Sequence, residues 1–228
     1  QTRPEQRRRQ KPGKARLDHS KSNQIGTISD MNKVIVVGGG KGGVGKSSVT
    51  IGVVDMLLTR GEKVVLVESD DSNPDTYKVL NTLTKSEICN LDTEEGHIKL
   101  CNLIEEAKDA YVVLNTAARA TAGMIQHGGI LVDTVRELQR DLIMLWPINR
   151  QRDSLELLSE FLDNSEGYKA TVVIKNTYFG EPAKFIRYDN SKTKSRVTAT
   201  VNFPELNDLL SDKLNDKRWA LNNAEGLT

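Results

Sequence analysis

The chain has 228 residues, 28% of them Asp, Glu, Lys or Arg, and a formal net charge of +1. That length suits one α/β domain with a buried core, and no apolar run approaches the roughly 20 residues that a membrane-spanning helix needs. The two cysteines, Cys89 and Cys101, have neither metal-ligand spacing nor a neighbouring His–Cys cluster. They argue against an iron–sulfur centre and read as reduced thiols of a cytosolic protein.

The charge is unevenly spread. Residues 1–30 hold eight Lys/Arg and three acids, a balance of +5, which leaves −4 for residues 31–228. The stretch 1–30 is polar and aperiodic, and it is expected to be disordered. Two readings of it stand side by side: a basic arm for nucleic acid, or sequence foreign to the protein, because Met31 stands directly before Asn32-Lys33 and the first strand. A single nucleotide-binding domain is expected over residues 31–228.

Val34-Ile35-Val36-Val37 is a short apolar run that predicts a buried parallel strand. It feeds Gly40-Lys41-Gly42-Gly43-Val44-Gly45-Lys46-Ser47-Ser48, which contains G-x-x-x-x-G-K-[ST]. The glycines of such a loop let consecutive backbone N–H groups turn inward as an anion nest. Lys46 adds a point charge for β- and γ-phosphates, Ser47 a hydroxyl for Mg²⁺, and the next helix directs its positive end at the phosphates. That helix is predicted over 47–60, from Val49, Val53 and Leu57, with Arg60-Gly61 as its stop.

Further strands are predicted at Lys63–Glu68, Ala110–Asn115, Leu142–Trp146, Ala170–Ile174 and Val197–Val201, and helices at 124–140, 153–163 and 205–222. Strands alternating with helices imply a single doubly wound, mostly parallel sheet covered on both faces. Its ligand belongs at the carboxyl ends of the strands, where Glu68, Asp70, Asn115 and Asn176 fall. Glu68, Asp70 and Asp71 at the mouth of one apolar strand repel one another unless a cation sits there, and a solvated turn is the competing reading.

Lys41-Gly42-Gly43-Val44-Gly45-Lys46-Ser47-Ser48 resembles the deviant Walker A loop of the ParA/MinD class of P-loop ATPases. The resemblance spans most of residues 31–228, strongest in the loop. It implies bound ATP and Mg²⁺, slow ATP hydrolysis, and a homodimer in which Lys41 reaches the partner subunit's phosphates. It implies roles for Lys41, Lys46 and Asp70 in catalysis, with Asp70 orienting the attacking water and Glu68 joining Ser47 in the Mg²⁺ shell. Asn115 stands where the family carries its Walker B aspartate. It supplies no charge, and losses of that kind commonly cost ~10–100-fold in metal affinity or activity. Arg119 falls in the segment that follows. Asn176 and the loop at Pro204 match positions that the family sets against the adenine ring, although both residues are also ordinary turn formers.

By the same resemblance, the chain acts in plasmid or DNA partition or in conjugative DNA transfer, in a bacterial cytoplasm, beside a DNA-binding or transfer-complex protein. Lys184, Arg187, Lys192, Lys194 and Arg196 form a basic run that suits phosphate contacts to DNA, or else a solvated loop. The segment 205–222 mixes acids with bases on its polar face, unlike a membrane-binding helix. His19, His97 and His127 receive no role. Two other readings remain: a nucleotide-gated binding module with little or no turnover, motivated by Asn115, and a ligase of the dethiobiotin-synthetase type on the same fold.

Overall fold

The computed structural model describes residues 33–118 and 120–205, with backbone alone at 120–126. The segment 1–30, Arg119 and all of the expected helix 205–222 except Glu205 lie outside these residues.

Seven strands form one sheet: β1 (Lys33–Val37), β2 (Val64–Glu68), β3 (Lys85–Ile88), β4 (Tyr111–Asn115), β5 (Asp141–Ile148), β6 (Ala170–Asn176) and β7 (Ala199–Phe203). Their order is β3-β2-β4-β1-β5-β6-β7. Every pair is parallel, so the sheet is wholly rather than mostly parallel. The helices are α1 (Lys46–Thr59), α2 (Asp75–Leu80), α3 (Glu94–Glu106), α4 (Ala120–Glu137), α5 (Arg152–Asn164) and the short α6 (Ile186–Asp189).

Period-2 alternation distributes the strand residues between two cores. Val34, Val36, Val65, Val67, Val112 and Leu114 face one core, with Leu100 and Ile104 of α3, Leu131 of α4 and Leu158 of α5. Val37, Val64, Leu66 and Val113 face the other, with Val49, Val54 and Leu57 of α1 and Leu80 of α2. Burial on both faces explains why β1, β2 and β4 read as continuous apolar runs.

Helices α2 and α6 lie outside the expected set, α4 begins four residues earlier than 124, and three further elements differ. The strand β3 is an edge strand of sequence Lys-Ser-Glu-Ile whose residues are at most partly buried, so it has no apolar signature. The helix α3 is also absent from the expected set, although Thr93 caps it by accepting from Gly96 N at 3.1 Å. The last strand sits two residues later than Val197–Val201; just before it, Thr198 donates its N–H to Thr171 O at 2.8 Å and accepts from Thr171 N through its hydroxyl at 3.1 Å.

Beneath the sheet, Arg140 ties three elements together. It is 8% exposed and donates to Ile104 O at 2.8 Å, Ala107 O at 3.2 Å and Ala110 O at 2.6 Å. It thereby satisfies carbonyls at the end of α3 that have no helical partner.

Candidate functional site

The loop between β1 and α1 lies at the middle of the sheet, since β1 pairs with both β4 and β5. Gly45 ends it with φ +97°, a left-handed conformation that leaves the first N–H groups of α1 open to the cleft. A Cβ at Gly45 would lie 2.3 Å from Asn176 Nδ2, so the loop and β6 meet where only glycine fits. The same Asn176 amide donates to Val44 O at 3.0 Å, and its Oδ1 accepts from Tyr178 N at 3.2 Å. Gly42 and Gly43 face open space.

The resulting cleft has a volume of about 460 Å³. Gly42, Gly43, Gly45, Lys46, Ser47 and Ser48 form its floor, with Asp70 and Asn115 at one wall. Tyr178, Phe179, Phe203 and Pro204 frame the other end, beside Asn176. Lys46 is 8% exposed, and its ammonium donates to Lys41 O at 2.9 Å. Burial lowers its pKa below the ordinary value of 10.5, against the pull of Asp70 and Glu68. One cation, a row of backbone amides and a hydroxyl converge on a space of nucleotide size, bounded by aromatic rings.

Gly40, Lys41 and Val44 lie on the other side of the loop, beside Trp146 and Pro147. The Lys41 ammonium contacts Gln151 Oε1 and the Asp153 carboxylate at the start of α5. The Lys41 hydrogen bond holds the exposed Asp153 carboxyl below the usual carboxylate range.

The three carboxylates after β2 do not converge, contrary to the reading of a shared cation site. Glu68 is fully buried and accepts from Asp70 N at 2.8 Å, from the Thr76 hydroxyl, and from Asn115 Nδ2 at 3.1 and 3.0 Å. Burial pushes its carboxyl upward, against these donors. Asp71 accepts from Asn90 Nδ2 at 2.9 Å, and Asp70 from Ser72 Oγ at 2.6 Å and Asn73 N at 3.1 Å. Asp70 reaches the cleft wall, whereas Glu68 stands behind Asn115. Asn115 Oδ1 in turn accepts from the Thr50 hydroxyl at 3.0 Å.

The model of the ParA family described as the NUBPL iron-transfer P-loop NTPase matches residues 30–131. Protein MobD of Acidithiobacillus ferrooxidans is 45% identical over 192 residues, covering 82% of this chain and 84% of that protein. The chain belongs to the ParA/MinD-type P-loop NTPases. Among the solved structures that share the fold of this P-loop NTPase are the following two. MinD of Aquifex aeolicus is 16% identical with a TM-score of 0.54, over 85% of this chain and 89% of that one. A nucleotide-binding protein of Archaeoglobus fulgidus, solved with ADP, is 15% identical with a TM-score of 0.50, over 82% and 86%.

In this P-loop NTPase the basic run of the sequence divides. Lys194 pairs with Asp189 at 2.9 Å and Arg196 with Asp163 at 2.6 Å. Lys184 and Arg187 are exposed and line an open groove of about 700 Å³ with Arg150, whose carbonyl accepts from Arg187 at 3.1 Å. Lys192 is exposed outside that groove.

Sequence reasoning missed Thr50, Thr76, Arg150, Gln151, Asp153, Tyr178 and Phe179. Gln151 and Asp153 follow the carboxyl end of β5, so the rule that drew attention to Asp70 would also have found them. Cys89 and Cys101 are both free and buried, and burial pushes the Cys89 thiol up to about 11. His97 is fully buried with Nε2 3.1 Å from Leu91 O, away from the cleft. Among the described residues no three His, Cys, Asp or Glu side chains gather closely enough to hold a metal ion by themselves.

Proposed function

We propose that this P-loop NTPase binds ATP with Mg²⁺, dimerises on it and hydrolyses it slowly, in DNA partition or conjugative DNA transfer. The cleft carries this reading: Lys46, Ser47 and the amides of 42–48 meet Asp70 across a space of about 460 Å³. Ser47 and Asp70 would hold the Mg²⁺ with the phosphates, Asn115 would take one of its waters, and Lys46 would hold the β- and γ-phosphates. When bound, the metal neutralises charge on the transferred phosphoryl group. Asp70 would also orient the attacking water at the cleft wall, and Tyr178, Phe179 and Phe203 would offer faces for a base.

The Lys41 ammonium supports dimerisation, because its partners Gln151 and Asp153 are surface groups that a partner's phosphate can replace. The groove of Arg150, Lys184 and Arg187 supports contact with a phosphodiester backbone. Turnover of ATP by the full chain, with and without duplex DNA at low and physiological salt, tests the reading. DNA-stimulated turnover that salt suppresses is the expected result, and salt-insensitive turnover would refute the DNA part.

A second reading is favoured by one observation: Asn115, at the Walker B position, brings an amide to the cleft wall. ATP would then gate partner binding without appreciable turnover. Tight Mg²⁺–ATP binding with no hydrolysis under any of these conditions would support it over the first.

A further inference from the structure

Behind the cleft wall, four side chains from four elements form a closed polar hub. Thr50 of α1 donates to Asn115 Oδ1 at 3.0 Å, and the Glu68 carboxylate, which can only accept, fixes which way the Asn115 amide faces. Its Nδ2 points to Glu68 of β2, at 3.1 and 3.0 Å from the two carboxylate oxygens. The remaining capacity of those oxygens is taken by Asp70 N at 2.8 Å and by the Thr76 hydroxyl of α2. Glu68 is 0% exposed and Asn115 3% exposed, so each hydrogen bond forms away from bulk water.

We infer that Glu68 and Asn115 are a matched carboxylate–amide pair, and that Glu68 is a positioning residue which anchors the loop carrying Asp70. The inference rests on the nucleotide reading of the cleft only for its last measurement. The neutral residue at the Walker B position is then a fitted part of the hub. An aspartate there would set two carboxylates about 3 Å apart in a buried site, where like charges repel strongly. A glutamine at position 68 fails for the complementary reason. It takes the charge from the Thr76, Asp70 and Asn115 contacts and turns an amide toward the Asn115 amide, which is relieved only if Asn115 flips and the Thr50 and Thr76 hydroxyls both turn from donor to acceptor. The reciprocal exchange restores the count. In the double variant the carboxylate introduced at position 115 would accept from Thr50 and from the amide introduced at position 68. The oxygen of that new amide would still accept from Asp70 N, and the Thr76 hydroxyl would turn to accept from its nitrogen.

Melting temperatures of the full chain test this as a double-mutant cycle. Asn115→Asp and Glu68→Gln are each expected to lower the melting temperature by roughly 5–10 °C, and the double exchange to return it to within about 3 °C of the wild type. An Asn115→Asp protein as stable as the wild type, or additive losses in the double variant, would overturn the pair. Where a single variant does not fold, the double variant decides alone: folded supports the pair, unfolded refutes it.

The exchange also moves a negative charge onto the cleft wall. The ratio of ATP affinity in Mg²⁺ to that in EDTA should therefore rise by about tenfold in the double variant. A merely structural hub would leave that ratio unchanged, and an unchanged ratio overturns the positioning role. Absence of ATP binding by the wild type would refute the nucleotide reading, while the melting cycle would still decide the pair.

Discussion

Replacing Lys46 by Met separates what this residue does for a ligand from what it does for the fold. In the protein, the Lys46 ammonium is 8% exposed and makes a hydrogen bond of 2.9 Å to Lys41 O. Burial costs the charge more than Asp70 and Glu68 return, since its pKa is lowered. Methionine matches the length and removes the charge, so the apoprotein should be neutral to stabilised, with a melting temperature within about 3 °C of the wild type or above it. Two charge-assisted contacts to β- and γ-phosphate would be lost, about 3–5 kcal/mol in total, or roughly a hundredfold to a few thousandfold in ATP affinity.

Titration calorimetry at pH 7.5 measures the affinity, and thermal melts across pH measure the rest. The sign of the pH effect follows from the depressed pKa. The penalty for the buried charge is fully present below the folded pKa. It is relieved as pH rises from there toward 10.5, so this group's contribution makes the wild type more stable over that window. The Met variant should lack that gain. ATP binding within tenfold of the wild type would refute the role of Lys46, and a melting temperature lower by more than about 6 °C would make the loss structural.

Gly45→Ala places a Cβ at φ +97° and 2.3 Å from Asn176 Nδ2. It should cost about 2–4 kcal/mol in stability by thermal melt and weaken ATP binding as the loop shifts. Lys41→Ala should bind ATP within a few-fold of the wild type yet sediment as a monomer in its presence. Asp153→Ala should dimerise at lower protein concentration, because the contact that holds Lys41 within its own subunit is gone. Arg140→Met should lose about 2–4 kcal/mol by denaturant titration, with the carbonyls of Ile104 and Ala110 deprived of a donor at 2.8 and 2.6 Å.

The phosphate loop was legible because nucleotide chemistry admits few residue types at its positions. The central strands were legible because burial on both faces leaves only apolar residues. Strand β3 was not, since an edge strand with one neighbour can be Lys-Ser-Glu-Ile and still pair. Helix α3 carried its signals, the Thr93 cap and the spacing of Leu100, Leu103 and Ile104, but they lay between stronger motifs. Adjacency in sequence misled in two places. Glu68, Asp70 and Asp71 look like one acidic cluster, yet Asn115, Ser72 and Asn90 draw them to three different partners. The basic run looks continuous, yet Asp189 and Asp163 neutralise part of it, and Arg150 joins the rest from a distant loop.

The two lysines of the loop illustrate why the same side chain is held differently for different work. Lys46 is buried, and its position is set by the helix that follows it. A charge in such a place can change its electrostatic partner only when a ligand arrives, which suits a permanent phosphate contact. Lys41 sits at the surface with 30% of its side chain exposed, and Asp153 with 50%. Exposed pairs of this kind are held weakly and exchange partners at little cost. A switch needs that property, since a ligand shifts an equilibrium only by its differential affinity for the two states. A strongly held Lys41 would oppose its transfer to another subunit, whereas this one can leave when a phosphate offers more. On the proposed dimer switch, the contacts of Lys41 with Gln151 and Asp153 would set the threshold for the exchange, and substitutions there should move the ATP concentration at which dimers form while leaving the affinity of the single subunit unchanged.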